Sequence, residues 1–168
     1  ALHQIALKAD GALRDALSIF DQLVTFAGST LTYQNVLDNL HILDYEYYFK
    51  ITDAAEKEDI SAALLILNDI YEKGFDGHHF VVGLSEHVRN LLVCKDPKTA
   101  TLLEAPDTIK QRYISQAHEI ESQRLLRSLQ VLSKTDVSYK ASKNQRLLIE
   151  VALMQLCSLK QEQEKKKD

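Results

Sequence analysis

Apolar residues recur through the chain at spacings of three and four, and breakers between the runs divide them into a succession of helices. Leu2, Ile5, Ala6 and Ala9 mark the end of a first helix. Asp10-Gly11 interrupts it, and Leu13, Ala16, Leu17, Phe20, Leu23 and Val24 then trace one face of a second. Asp10 is the expected N-cap of that helix and Gly28 its expected stop. Thr32 is placed to cap a short helix through Val36, Leu37 and Leu40.

From about Leu43 the pattern changes. Tyr45, Tyr48 and Phe49 share a helical face. Only Lys50 interleaves this aromatic run with positive charge, so it reads as core packing and not as a base-stacking surface. Ile60, Ala63, Leu64, Leu67 and either Ile70 or Tyr71 mark the next helix, with Asp59 as cap. Gly74 suits the left-handed position after its end, and Phe75 should pack back on Ile70. Asp76 caps a helix that turns Val81, Leu84, Val88, Leu91 and Leu92 inward. Joined by so short a turn, these two helices are expected to be antiparallel neighbours.

Lys95 to Asp107 holds both prolines and reads as a connection with one turn of helix. Pro106 precedes a long helical pattern running to about Leu132, whose stripe rotates partway along and so predicts two neighbours. Thr135 to Ala141 is polar and reads as a loop. Ser142, with Gln145 three residues on, forms an expected capping box for a last helix from Lys143 to about Lys160. That helix is apolar almost all round, which predicts a central place in its domain or a face shared with a partner subunit. Glu150 in it either pairs with Arg146 or crosses an interface. The charged tail from Gln161 reads as the start of a disordered linker.

Composition agrees with an all-α chain. Five Gly and two Pro in 168 residues are too few breakers for a many-turned β architecture. A net charge of −4 argues against a freestanding nucleic-acid-binding module. No apolar run reaches transmembrane length, and no signal peptide is visible. Cys94 and Cys157 lie in apolar helical contexts and read as buried free thiols of a reducing compartment. The chain opens on Ala1 and not on Met, so it is expected to be a piece of a longer protein.

The residue with unusual chemistry is Arg14. It stands in the first turn of its helix, where the positive end of the dipole disfavours a cation by a few tenths of a kcal/mol. Two readings follow from its spacing. It is a surface residue pairing with Asp10 at i, i+4, or it joins the open helix end to bind a phosphate. The other candidates are weaker. His78, His79, His87 and Cys94 do not match a zinc finger or an HExxH spacing, and read as core or surface residues with no metal. None of the five glycines is followed by Lys, so the chain has no Gly-Lys-Ser/Thr phosphate cradle. No nucleophile–base constellation is evident, and no catalytic residue is assigned.

The run from Asp10 to Leu23, DGALRDALSIFDQL, resembles the sensor 2 helix of the AAA+ clamp-loader ATPases, and within them the bacterial DNA polymerase III gamma/tau family. The closing run from Ser142 to Cys157, SKNQRLLIEVALMQLC, is similar to the last helix of that family's collar domain. The resemblance implies a C-terminal part of the lid over residues 1–43, a helical-bundle collar (oligomerisation) domain over 44–160, and a linker over 161–168. It assigns Arg14 to the phosphates of ATP held by the same subunit. It implies a cytoplasmic place in DNA replication, serving sliding-clamp loading. The partners would be other clamp-loader subunits (gamma/tau copies, delta and delta prime) through the collar, with the sliding clamp and DNA reached only in the full assembly and no membrane. Without a phosphate cradle this stretch is expected to be no enzyme and to bind no ATP alone. The parent would be the ATPase component of a DNA-directed DNA polymerase, a nucleotidyltransferase holoenzyme. Two other readings stay open: the C-terminal region of another AAA+ protein, such as a noncatalytic clamp-loader subunit, and a helical adaptor with no nucleotide role.

Overall fold

A computed structural model describes residues 2–9, 12–28, 30, 32–40 and 43–166. The described residues form helices joined by turns, with no strand among them. The chain divides into two compact units, Ala1–Asp44 and Tyr45–Asp168.

The first unit holds α1 (Leu2–Lys8), α2 (Leu13–Ala27) and α3 (Tyr33–Leu40). Gly28 ends α2 with a φ of 73°, and its N–H donates to the Val24 carbonyl at 3.0 Å. Thr32 and Asn35 cap α3 reciprocally. Asn35 N–H donates to Thr32 Oγ1 at 3.1 Å, and Thr32 N–H donates to Asn35 Oδ1 at 3.1 Å. The core is Ile5, Leu23 and Val36, with Ala16 and Ile19 packed against it. This corrects the sequence reading of α2. Leu23 faces inward, but Leu13, Leu17, Phe20 and Val24 are exposed.

The second unit comprises α4 (Tyr45–Glu56), α5 (Ile60–Glu72), α6 (Gly77–Val93), α7 (Pro97–Ala100), α8 (Asp107–Glu119), α9 (Ser122–Tyr139) and α10 (Gln145–Glu164). Asp59 caps α5 by accepting from Ala62 N–H, and Asp76 caps α6 by accepting from His79 N–H. Between them stands the expected Schellman turn. Gly74 adopts a φ of 80°, its N–H donates to Tyr71 at 2.9 Å, and Phe75 N–H donates to Ile70 at 3.2 Å. The turn does not make α5 and α6 packing partners, however. α5 lies against α4 and α10, while α6 lies chiefly against α9 and also meets α8, α10 and α4. α10 packs on α9, α5, α4 and α6, and so fills the centre that its apolar pattern predicts.

Three boundaries differ from the sequence reading. The long pattern after Pro106 is two helices, broken where Ile120 and Glu121 are both extended. The rotation of its stripe marks that break. The stretch read as a loop from Thr135 belongs to α9, because Thr135 is buried and Asp136 meets His78 at 2.6 Å. α10 runs to Glu164, past the expected start of a linker at residue 161, and Gln163 donates to Glu121 at 2.9 Å.

The cap of α10 is also reassigned. Asn144, and not Ser142, is the N-cap, accepting from Leu147 N–H at 3.1 Å. Asn144→Ala is therefore expected to lower stability by about 1 kcal/mol. Ser142→Ala should stay within about 0.5 kcal/mol. Urea unfolding of the two variants checks the assignment.

Candidate functional site

Arg14 lies in the first turn of α2 and is exposed. Ala12 occupies the N-cap and supplies no side-chain hydrogen bond to the first-turn N–H groups. Asp15 is the only acid in that turn. Among the described residues Arg14 makes no ion pair. The expected cap and pairing partner, Asp10, lies outside the described residues. A guanidinium beside an open helix end is matched to an anion with two or more acceptor oxygens, which it can hold by parallel hydrogen bonds. A phosphate fits this chemistry.

Of the candidate histidines and cysteines, His87, Cys94 and Cys157 are buried, while His78 is part-exposed and paired. His87 is 1% exposed and lies between Tyr113 and Gln116. His78 pairs with Asp136 and stacks on Tyr139 with centroids 5.1 Å apart. Cys94 and Cys157 are buried free thiols, and burial pushes both up, Cys157 to about 11. Among the described residues no three His, Cys, Asp or Glu side chains come together to hold a metal. Tyr45 and Tyr48 are half-buried and Phe49 fully buried. Glu150 pairs with Arg146 at 3.1 Å, the first of its two sequence readings. No helix among the described residues is long and apolar enough to cross a membrane.

Sequence reasoning missed the outward apolar faces. Besides the α2 stripe, the second unit exposes Leu65 on α5 at 70% and Val137 on α9 at 81%. Leu65 lies inside an almost continuous apolar run and Val137 inside a polar one, so periodicity draws attention to neither.

Two family models match the chain, and both describe regions of a clamp-loader subunit. A family model described as DNA polymerase III clamp loader subunit, ATPase lid domain, matches residues 1–29. A second, DNA polymerase III subunits gamma and tau domain III, matches residues 31–168, and the chain belongs to that family. The matches divide the chain near residue 30, whereas packing divides it at Asp44 and keeps α3 with α1 and α2.

The chain is similar to the DNA polymerase III subunit tau of Bacillus subtilis, at 27% identity over 94% of this chain. It is similar also to the DNA polymerase III subunit gamma/tau of Mycobacterium bovis, at 28% identity over 93% of this chain. It spans 28% of the length of each of these relatives. Its fold is shared with the solved Bacillus subtilis DNA clamp loader delta protein, with a TM-score of 0.61 and 19% identity. That match covers 92% of this chain and 49% of the other.

Proposed function

We propose that the chain is the lid-and-collar part of a DNA polymerase III clamp-loader ATPase, in which the collar assembles the subunits and the lid responds to ATP binding. The Tyr45–Asp168 unit joins the subunit to other clamp-loader subunits: further gamma/tau copies, delta and delta prime. Arg14 holds a terminal phosphate of ATP bound by the same subunit. The ATP-binding cradle belongs to the parent protein, which works in the cytoplasm on the sliding clamp and DNA.

The observation that carries the nucleotide role is the placement of Arg14, exposed and unpaired among the described residues at an N-terminus without a side-chain cap. A group that prefers the phosphate-bound arrangement shifts the lid only by its difference in affinity between two states. A charge-assisted contact supplies a difference of that size. In the full-length protein Arg14→Ala is expected to weaken ATP binding about tenfold, as loss of a hydrogen bond to a charged group does. Clamp loading should slow while the subunits still co-purify. Arg14→Lys should restore binding in part, because an ammonium offers a point charge in place of a planar fork. Unchanged ATP affinity and loading in Arg14→Ala would make Arg14 an ordinary surface residue. Failure of the wild-type protein to assemble with delta would refute the assembly role.

A further inference from the structure

We propose that the second unit holds a small monovalent anion, of the size of chloride, in the cleft between α4, α6, α9 and α10, with the Arg124 guanidinium as its principal ligand. The site lies wholly within the Tyr45–Asp168 unit and is independent of Arg14.

Arg124 stands in the first turn of α9, and its side chain is 11% exposed. Its Nη2 meets Glu56 Oε2 at 3.0 Å. Nε and Nη1, which carry most of the guanidinium's N–H bonds, are buried and meet no acceptor among the described residues. Buried donors of native proteins are paired, and a charged donor left alone is strongly destabilising. The hydroxyls beside the guanidinium are turned to other groups. Thr52 Oγ1 donates to the Tyr48 carbonyl at 2.9 Å, and Ser128 Oγ donates to the carbonyl of Arg124 itself at 2.8 Å.

Space and charge define the ligand. The cleft has a volume of about 30 Å³, where one water needs roughly 10–15 Å³. It takes one or two small species and not a phosphate. Its walls are apolar: Leu84, Val88, Leu125 and Leu156 are all buried. The charged groups that line it are Arg124, Lys160 and Glu56. Two cations against one carboxylate leave one positive charge, and the positive end of the α9 dipole adds to it. Glu119 and Glu121 act on Glu56 through space but do not line the cleft, and Glu121 is engaged by Gln163. Water would satisfy the N–H groups and leave the charge uncompensated beside apolar walls, where it is unfavourable. A monovalent anion satisfies both. Lys160 is exposed and marks the open side, through which the ion exchanges.

The test is a chloride titration of the full-length protein followed by ³⁵Cl NMR linewidth, with ionic strength held constant by gluconate, which is too large for the cleft. Wild type is expected to show saturable broadening. The double variant Glu56→Gln/Arg124→Met should lower chloride affinity by more than about tenfold. Both groups are replaced together because Arg124→Met alone would strand the Glu56 carboxylate. Glu56→Gln alone removes the negative charge and should tighten binding. Lys160→Met, at an exposed position, should weaken it about threefold. Wild type should also melt at a higher temperature in chloride than in gluconate, and the double variant at the same temperature in both. Broadening that rises without saturation, or that survives unchanged in the double variant, overturns the proposal and leaves Nε and Nη1 to water. Circular dichroism reports folding. Should the double variant not fold, Lys160→Met and Glu56→Gln decide, and unchanged affinity in both overturns the proposal.

Discussion

At pH 4 the chain is expected to be about 3 kcal/mol less stable than at pH 7 through His87 alone. The imidazole is 1% exposed. Its hydrogen bonds fix the tautomer. Gln116 Nε2 donates to the Phe49 carbonyl at 3.0 Å and to Asp53 Oδ1 at 2.7 Å, so Gln116 Oε1 is the end that faces the ring. His87 Nε2–H therefore donates to Oε1 at 2.9 Å, and Nδ1 accepts from the Tyr113 hydroxyl at 3.0 Å. Burial pushes that hydroxyl up to about 12, so it keeps its proton. The Phe49 ring meets the imidazole edge-on at 4.6 Å. In this setting burial holds His87 down at about 4 against its ordinary 6.5, with the nearby Arg112 charge adding to the effect. Between those values the unfolded chain binds a proton that the folded chain refuses. Stability is thus full above 6.5 and falls as pH drops toward 4. Glu56, which burial raises, works in the opposite sense. A comparison with His87→Gln isolates the histidine: urea unfolding followed by circular dichroism should show the wild-type slope between pH 6.5 and 4.5 and a flatter one in the variant. An equal slope in both would place the proton uptake elsewhere.

Features set by a single side chain and the backbone beside it were legible in the residues. Asp59, Asp76, Thr32, Gly28 and Gly74 each act through groups within a few positions, and each does what its type and place predict. Features set by tertiary partners were not. α9 continues through a polar stretch because Thr135 is buried, with its hydroxyl returned to the Val131 carbonyl, and because Asp136 finds His78. The break at Ile120 carries neither Gly nor Pro; a buried Ile120 side chain holds it extended. For the candidate site the same division holds. Arg14 is recognisable by type and by its place in the first turn. That four apolar residues of its helix face outward depends on what packs against it, which local periodicity does not encode.

Gly83→Ala is expected to destabilise the chain by about 2 kcal/mol, although alanine is the better helix former. Gly83 lies inside α6, one turn from Phe80 and one turn from His87. Tyr48 of α4 crosses that face. Its ring stacks on Phe80 with centroids 6.2 Å apart and lies 6.0 Å from His87. A β-carbon at Gly83 would fall on the Tyr48 hydroxyl and stand 2.5 Å from Cζ and 3.1 Å from Cε1. The ring is rigid and bracketed by its two neighbours, so it can yield only by taking α4 with it. Overpacking of this kind costs about 1–3 kcal/mol, while the gain in helix propensity returns about 1. The overlap here is with several atoms of the ring, which places the cost at the upper end of that range. The sign of the effect should depend on Tyr48. In a Tyr48→Leu background, where the distal ring atoms are gone, Gly83→Ala should become neutral or stabilising by up to about 1 kcal/mol. Urea unfolding of the double-mutant cycle reads both values. A Gly83→Ala penalty that survives unchanged without the tyrosine would trace the tight packing to some other contact of α6.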